Sequence, residues 1–222
     1  MPYKISDSCQ IPNLNDVYEK YFASKTDGYF CEIGGYDGIS FSNTWGLAEA
    51  SWQGIYVEPI AELADSCRET HKNNRVVTIE CAISDTEGLT DIWLGPDLNF
   101  PSSTIDESSM QAAALEVPDF GYSPDRKRTV RTLRLDTLLS MLGTPMGFDL
   151  LVIDVEGAEL KVLAGFSWEK WQPKMIIIED HDGNVYKSKA MHTEAIAAWF
   201  SNTPYLRFWH DATNSIYVLE AK

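Results

Sequence analysis

The chain has 222 residues, in which 33 acidic residues against 18 basic ones give a formal net charge of −15. Hydrophobic residues make up 44% of it, which is ordinary for a globular protein and sufficient to bury a core. The acidity argues against a broad surface for nucleic acid or anionic membrane, because such binding depends on clustered lysine and arginine. From the length we expect residues 1–222 to form a single domain.

The sequence carries no recognisable targeting or disulfide signal. Residues 1–10 lack the apolar segment of a secretory signal, and no stretch approaches the roughly 18 apolar residues of a membrane span. The four cysteines show no CxxC spacing, and a disulfide framework would be unusual for a chain of this size. We therefore expect a cytoplasmic protein with no membrane and no nucleic-acid partner.

Short apolar segments alternate with helical patterns along the chain. A first amphipathic helix is predicted near residues 14–22. Strands are then predicted at 28–33, 54–58, 76–83, 148–154 and 175–179, and helices at about 42–51, 60–72, 158–165 and 193–200. Residues 129–139 indicate a strand leading into a short helix, and 205–220 a terminal hairpin. This alternation predicts an α/β fold with a mostly parallel central sheet, helices on both faces and a C-terminal antiparallel hairpin.

Residues 95–128 interrupt this alternation. They contain four prolines and show little periodicity, which predicts a long loop. A loop of this length in a compact domain is usually functional or disordered. We therefore predict either a mobile substrate lid or a tolerated surface insertion, and binding residues concentrate on loops.

Carboxylates stand at the ends of several predicted strands. They are Glu32, Glu58, Asp154 with Glu156, and the EDHD sequence at 179–182. In open α/β sheets, ligands bind at the carboxyl ends of the strands. Because neighbouring carboxylates repel each other, their convergence predicts a ligand that offsets the charge.

Glu32 begins a glycine-rich turn, EIGGYDG at 32–38. Glycine allows a tight turn and close approach of the backbone to a ligand. The spacing is not GxGxxG, and an acidic residue at the mouth favours a ligand with a cation and hydroxyls over a pyrophosphate. Glu58 ends the second predicted strand, roughly where dinucleotide-binding folds place the acidic residue that binds ribose hydroxyls.

These motifs together resemble a known family, the FkbM-type S-adenosylmethionine-dependent methyltransferases of the class I Rossmann-like fold. The matching segments are EIGGYDG (32–38), YVEP (56–59), AISD (82–85), LRLDTLL (133–139) and IDVEGAELKVLAGF (153–166). The resemblance spans residues 29 to about 180 in the family's order. The chain departs from the family pattern at Glu32 and Gly35, where Asp and Ala or Ser are more usual.

The resemblance implies S-adenosylmethionine as the cofactor and a set of residues that bind it. The set includes Glu32, the acidic residue of the first predicted strand. Its other members are Gly34, Gly35, Gly38, Glu58, Ser84 and Asp85. The glycines would line the methionine and ribose portion, and Glu58 would hold the ribose hydroxyls. The pair at 84–85 would lie beside the adenine, although Ser-Asp after a strand is also an ordinary turn.

Asp154, Glu156 and His181 are the predicted catalytic residues. Methyl transfer to oxygen requires a positioned acceptor and assisted proton removal. Imidazole accepts a proton near neutral pH, which favours His181 as the base. The alternative for His181 is a loop histidine that pairs with its acidic neighbours, and for Glu156 and Glu159 a complement to a helix dipole.

We therefore predict methylation of a hydroxyl on a small molecule or sugar. The alternatives are N-methylation on the same scaffold, a non-catalytic cofactor-binding partner subunit, and an NAD-dependent oxidoreductase, which the absence of GxGxxG disfavours. Five basic residues within 126–134 would attract an anionic group on the acceptor, or would form a solvated face that pairs with local carboxylates.

A divalent metal such as Mg²⁺ is a further hypothesis, which we do not favour because the family resemblance implies no metal. Its ligands would be Asp154 with Asp180 or Asp182, and His181. Carboxylate oxygens are the ligands that Mg²⁺ prefers.

Overall fold

The structure, a computed structural model, describes residues 3–95, 102–116, 123–181 and 190–220. The helices are α1 (Leu14–Phe22), α2 (Trp45–Glu49), α3 (Ala61–Thr70), α4 (Glu107–Glu116), α5 (Leu135–Met141), α6 (Glu159–Ala164), α7 (Trp168–Trp171) and α8 (Ala190–Ser201). The strands are β1 (Tyr29–Ile33), β2 (Gln53–Val57), β3 (Arg75–Ile79), β4 (Ala82–Ile83), β5 (Gly88–Trp93), β6 (Lys127–Leu133), β7 (Leu150–Ile153), β8 (Met175–Glu179), β9 (Tyr205–His210) and β10 (Asn214–Leu219).

The central sheet has seven strands in the order β3-β2-β1-β7-β8-β10-β9. The first five are parallel, and β10 pairs antiparallel with both β8 and β9. Every residue of β7 and β8 is buried, as expected for parallel strands covered on both faces. The predicted α/β architecture with its terminal hairpin is therefore confirmed.

The two faces of the sheet support separate cores. Alternate residues of β7 divide between them, because successive side chains of a strand point to opposite faces. Leu151 and Ile153 pack in the core that contains α5, α6 and α8, whereas Leu150 and Val152 pack with α1. The apolar stripe of α1 is buried there, which confirms the first predicted helix.

Two predictions of local structure were wrong. The predicted strand 76–83 is divided, since β3 belongs to the central sheet and β4 to a second, three-stranded sheet of order β4-β6-β5. The segment 95–128 is not a continuous loop, because it contains α4 and the start of β6. Ile105 and Met110 bury their side chains, so the described part of this segment is packed onto the domain. Among the described residues, none of the helices has the length and hydropathy to cross a membrane.

Candidate functional site

A cavity opens at the carboxyl ends of the central strands. Strand β1 lies between β2 and β7, so the strand order reverses here, and ligands of open α/β sheets bind at such a switch point. The cavity encloses about 920 Å³ of unfilled space, part of it open to solvent. Its wall is built mainly by the strand ends and by residues 40–42, 57–60, 81–83, 103–105 and 154–156.

The glycine-rich turn after β1 forms one side of the cavity. Gly34 lines it and has a φ of +89°, and the N–H groups of Gly34 and Gly35 both donate to the Val57 carbonyl at 2.9 Å. Gly38 has a φ of +81°, and a Cβ there would lie 2.8 Å from the His71 ring. Neither Gly35 nor Gly38 lines the cavity, so their part is to shape the turn.

Glu58 joins the glycine-rich turn to the end of β2. Its Oε2 accepts a hydrogen bond from the Tyr36 N–H at 3.0 Å, and its Oε1 accepts one from the Ile60 N–H at 2.9 Å. The side chain is buried and lines the cavity. Burial raises the pKa of Glu58 to about 7, and the two N–H groups partly offset this by stabilising the charged form.

Glu32 also lines the cavity, but its oxygens are engaged by the segment that follows the turn. Oε1 accepts from the Asn43 N–H at 3.0 Å, while Oε2 accepts from Ser42 Oγ at 2.9 Å and Thr44 Oγ1 at 2.6 Å. Burial raises the pKa of Glu32, and these donors lower it in part. Glu32 therefore organises the 42–44 segment of the wall.

The residues predicted beside an adenine lie outside the cavity. Asp85 is exposed, and its Oδ1 accepts a hydrogen bond from Ser84 Oγ at 2.9 Å. The cavity is lined instead by the preceding residues Cys81, Ala82 and Ile83, which are apolar and buried. This segment therefore borders the cavity through residues 81–83, which precede the predicted polar pair.

Asp154 and Glu156 stand together on the cavity wall after β7. Burial, followed by the negative charges of Glu179 and Glu159, raises the pKa of Asp154 well above its ordinary value. Glu156 has a φ of 58°, a conformation that non-glycine residues adopt rarely. Two of the three predicted catalytic residues are therefore adjacent in the cavity.

Glu159 fixes the backbone that carries Glu156. Its Oε1 accepts hydrogen bonds from the Val155 N–H at 3.2 Å and the Gly157 N–H at 3.0 Å, and its Oε2 lies 2.7 Å from His192 Nε2. Burial would raise the pKa of Glu159, but the His192 contact and the backbone donors outweigh burial and lower it. Sequence reasoning missed His192, because nothing in a helical pattern indicates its partner 33 residues away.

The acidic residues at the end of β8 contact different parts of the structure. Asp180 is buried, and its Oδ2 accepts a hydrogen bond from Ser215 Oγ at 2.7 Å on β10. Glu179 instead faces His181, with 3.3 Å between Oε1 and Nε2, and the two share a cluster with Glu156. His181 is not among the residues that line the cavity. Asp182, the other predicted metal ligand, lies outside the described residues.

The basic residues of 126–134 lie away from the cavity wall. Lys127 pairs with Asp91 and Arg128 with Glu62. Arg134 donates to the Asp85 carbonyl at 2.8 Å. These contacts match the alternative of a solvated face that pairs with local carboxylates, so they give no support to an anionic acceptor.

Comparisons with known proteins agree with this geometry. The family described as Methyltransferase FkbM domain matches residues 32–206, about four fifths of the chain. A search of curated protein sequences finds no match.

Three solved structures are similar in fold. A Klebsiella pneumoniae protein described as an O-methyltransferase aligns at a TM-score of 0.51 and 14% identity, over 98% of this chain and 84% of that one. The O-methyltransferase from Bacillus cereus in complex with SAH aligns at 0.49 and 15%, over 96% and 84%. A Staphylococcus aureus protein described as a caffeoyl-CoA O-methyltransferase aligns at 0.49 and 13%, over 98% and 86%.

The family match covers the glycine-rich turn, Glu58, and the segment of Asp154 and Glu156, all of which border the cavity. The chain therefore belongs to the FkbM methyltransferase domain family and is an S-adenosylmethionine-dependent methyltransferase.

Proposed function

We propose that this methyltransferase acts on a hydroxyl oxygen of a small molecule or sugar. The observation that supports this most is Asp154, a cavity-lining carboxyl whose pKa is raised by burial and by Glu179. A hydroxyl must lose its proton as it attacks, whereas a neutral amine already presents a lone pair. A carboxylate with a raised pKa is a better proton acceptor near neutral pH than an ordinary one.

The residues of the cavity fit S-adenosylmethionine. Gly34 lines the cavity at the end of β1, and Glu58 places a buried carboxyl group at the end of β2. We assign the ribose hydroxyls to Glu58, the methionine portion to Gly34 and Tyr36, and the adenine to the apolar wall at 81–83. When bound, the cofactor supplies a methyl group on a cationic sulfur, whose charge the surrounding carboxylates complement.

The remaining predicted site residues take supporting parts in this proposal. Gly35 and Gly38 shape the turn, Glu32 holds the 42–44 wall, and the 84–85 pair ends the strand that contributes the adenine wall. Glu156 borders the cavity beside Asp154, where it would orient the acceptor. We assign the acceptor proton to Asp154 rather than to His181, because Asp154 lines the cavity and His181 does not.

We propose that residues 102–116, the described central part of the segment 95–128, cover the acceptor side of the cavity. Residues 103–105 form part of its wall. Two hydrogen bonds tie this segment to the region of Glu156: Ser109 Oγ donates to the Gly157 carbonyl at 3.3 Å, and Lys161 Nζ donates to the Ile105 carbonyl at 3.2 Å. Acceptor selection would then depend on residues 103–105.

The proposal is tested by transfer of a labelled methyl group. The chain is incubated with S-adenosylmethionine carrying a radiolabelled methyl and with matched panels of sugars, phenols, aliphatic alcohols and amines. We expect label in a methyl ether, identified by mass spectrometry. Label only in amines would support N-methylation instead. Binding of S-adenosylhomocysteine without turnover of any acceptor would point to a non-catalytic partner subunit.

A further inference from the structure

We propose that Glu156, Glu179 and His181 form a binding site for a divalent transition-metal ion beside the cavity. One ligand atom of each residue lies within 4.8 Å of the others. Two ligands of one ion at bonds of about 2.2 Å are at most about 4.4 Å apart. A shift of a few tenths of an ångström would therefore bring all three side chains onto a single ion.

Glu179 gives the independent reason to place a cation here. Its side chain is 95% buried, and its Oε2 accepts no hydrogen bond from the described residues. A buried carboxylate oxygen without a partner is unfavourable, because it has lost its water and gained nothing in return. A metal ion bonded to this oxygen would satisfy it.

The contact between Glu179 and His181 also fits a shared ion. Glu179 Oε1 and His181 Nε2 lie 3.3 Å apart, which is close enough for both side chains to bind the same ion.

The ligand types indicate which ion fits. Two carboxylates alone suit Mg²⁺, Ca²⁺ or Mn²⁺, and an imidazole shifts the preference toward first-row transition metals. Mn²⁺ accepts both kinds of ligand, and three protein ligands leave positions of its coordination sphere open. This ligand set differs from the one predicted from the sequence, because Asp180 is held by Ser215.

The site adjoins the space assigned to the acceptor, since Glu156 lines the cavity. An acceptor oxygen would complete the coordination of the ion and lose its proton more readily. This catalytic role rests on the proposed O-methylation, whereas the binding of the ion does not. The two are therefore tested separately.

The binding test uses Mn²⁺ alone on the chelator-treated full chain, without cofactor or acceptor. Calorimetry should show one site, and Glu179→Gln and Glu156→Gln should each weaken it at least tenfold. Glu62→Gln, which changes an exposed glutamate paired with Arg128, is the matched control and should leave it unchanged. If Glu179→Gln does not fold, Glu156→Gln and the spectroscopy below decide.

Pulsed electron paramagnetic resonance of the Mn²⁺-loaded chain should show coupling to an imidazole nitrogen that is lost in His181→Ala. Absence of binding, binding equal in all variants, or a spectrum without this nitrogen would overturn the site. The methyl-transfer assay in EDTA then tests the role: turnover that falls and returns with Mn²⁺ supports it, and full turnover in EDTA overturns that role. Failure of the Mn²⁺ titration would leave the proposed O-methylation standing.

Discussion

A Cβ atom on Gly34 would lie 1.7 Å from the carbonyl oxygen of Asp154. The two residues follow neighbouring parallel strands, and the Asp154 N–H donates to the Ile33 carbonyl at 2.9 Å. The turn after β1 therefore packs directly on the backbone that carries the proposed base. In the proposed function, this contact would couple the cofactor side of the cavity to its catalytic side.

Gly34→Ala should disrupt both sides at once. The added methyl meets a backbone atom, and alanine is also unfavourable at a φ of +89°. We expect a loss of at least 2 kcal/mol in the free energy of unfolding, about twice the penalty of a left-handed alanine alone. Urea unfolding measures it, and Gly143→Ala is the control because Gly143 has a φ of +65° with open space around it. Equal losses in the two variants would contradict the packing argument.

Glu58→Gln should weaken the binding of S-adenosylhomocysteine at least tenfold, about 1.4 kcal/mol. The amide keeps the shape of the side chain but removes the charge and one of the two oxygens that accept the Tyr36 and Ile60 N–H groups. Calorimetry at pH 8 measures the affinity, and a thermal melt without ligand checks the fold. Glu62→Gln, on the exposed side of α3, should bind as the native chain does. Unchanged affinity in Glu58→Gln would place the ribose elsewhere.

The raised pKa of Glu58 also predicts that the stability of the ligand-free chain depends on pH. The folded chain holds the Glu58 proton up to a pKa of about 7, whereas the unfolded chain releases it near the ordinary value of about 4.5. Between these values the folded state binds more protons, so this contribution to stability is present below about pH 4.5 and is lost as the pH rises toward 7.

Urea unfolding at pH 5 and pH 7 measures this difference in the native chain and in Glu58→Gln. The other ionisable groups titrate in both proteins. Subtracting the change in unfolding free energy of Glu58→Gln from that of the native chain therefore isolates the contribution of Glu58. The native chain should lose more stability over this interval, by about 2 kcal/mol. Identical pH dependence in the two proteins would mean that the Glu58 carboxyl is already ionised in the folded chain at pH 5.

Asp154→Asn should lower kcat at least a hundredfold, the usual range for loss of a general base being about 10²–10⁴. Its affinity for S-adenosylhomocysteine should stay within about threefold, because we assign cofactor binding to other residues. Steady-state kinetics on the acceptor found by label transfer gives kcat, and Asp65→Asn on exposed α3 is the control. A loss confined to KM would make Asp154 a binding residue and return the base to Glu156 or His181.

The strands that are buried along their whole length could be predicted from the sequence. Strands β7 and β8 are uninterrupted apolar runs, so their place in a parallel sheet follows from composition alone. The division of 76–83 into β3 and β4 could not be predicted, because both halves are equally apolar and the break depends on which strand each half meets. Helix α4 was missed because prolines flank an otherwise helix-compatible run.

The candidate site could likewise be predicted only in part. The carboxylates at the strand ends were found, since a parallel sheet brings these ends to one edge. Their partners depend on which way each side chain turns. Strand β8 ends at Glu179, and the N–H groups of Asp180 and His181 both donate to the Thr213 carbonyl, so the alternation of a strand does not extend to these two residues. The bond from Ser215 to Asp180 and the contact of His192 with Glu159 join distant segments, which no local pattern reveals.

That last contact gives a further prediction, which concerns His192→Ala. Glu159 is 99% buried, and His192 is the partner of its Oε2, at 2.7 Å. Removing the imidazole leaves a buried carboxylate held only by backbone N–H groups, which should cost about 3 kcal/mol of unfolding free energy. Because Glu159 also holds the N–H groups of Val155 and Gly157, the loop with Glu156 should loosen and kcat should fall with little change in cofactor affinity.

The control for His192→Ala is His210→Ala, which removes an exposed histidine from the edge strand β9. Urea unfolding should place this control within about 0.5 kcal/mol of the native chain, as for surface substitutions in general. Glu159→Gln combined with His192→Ala should recover part of the stability lost in His192→Ala, because no buried charge is then left without its partner. If the double variant is as unstable as the sum of the two single ones, the contact carries no coupling and the loop is held by Glu159 alone.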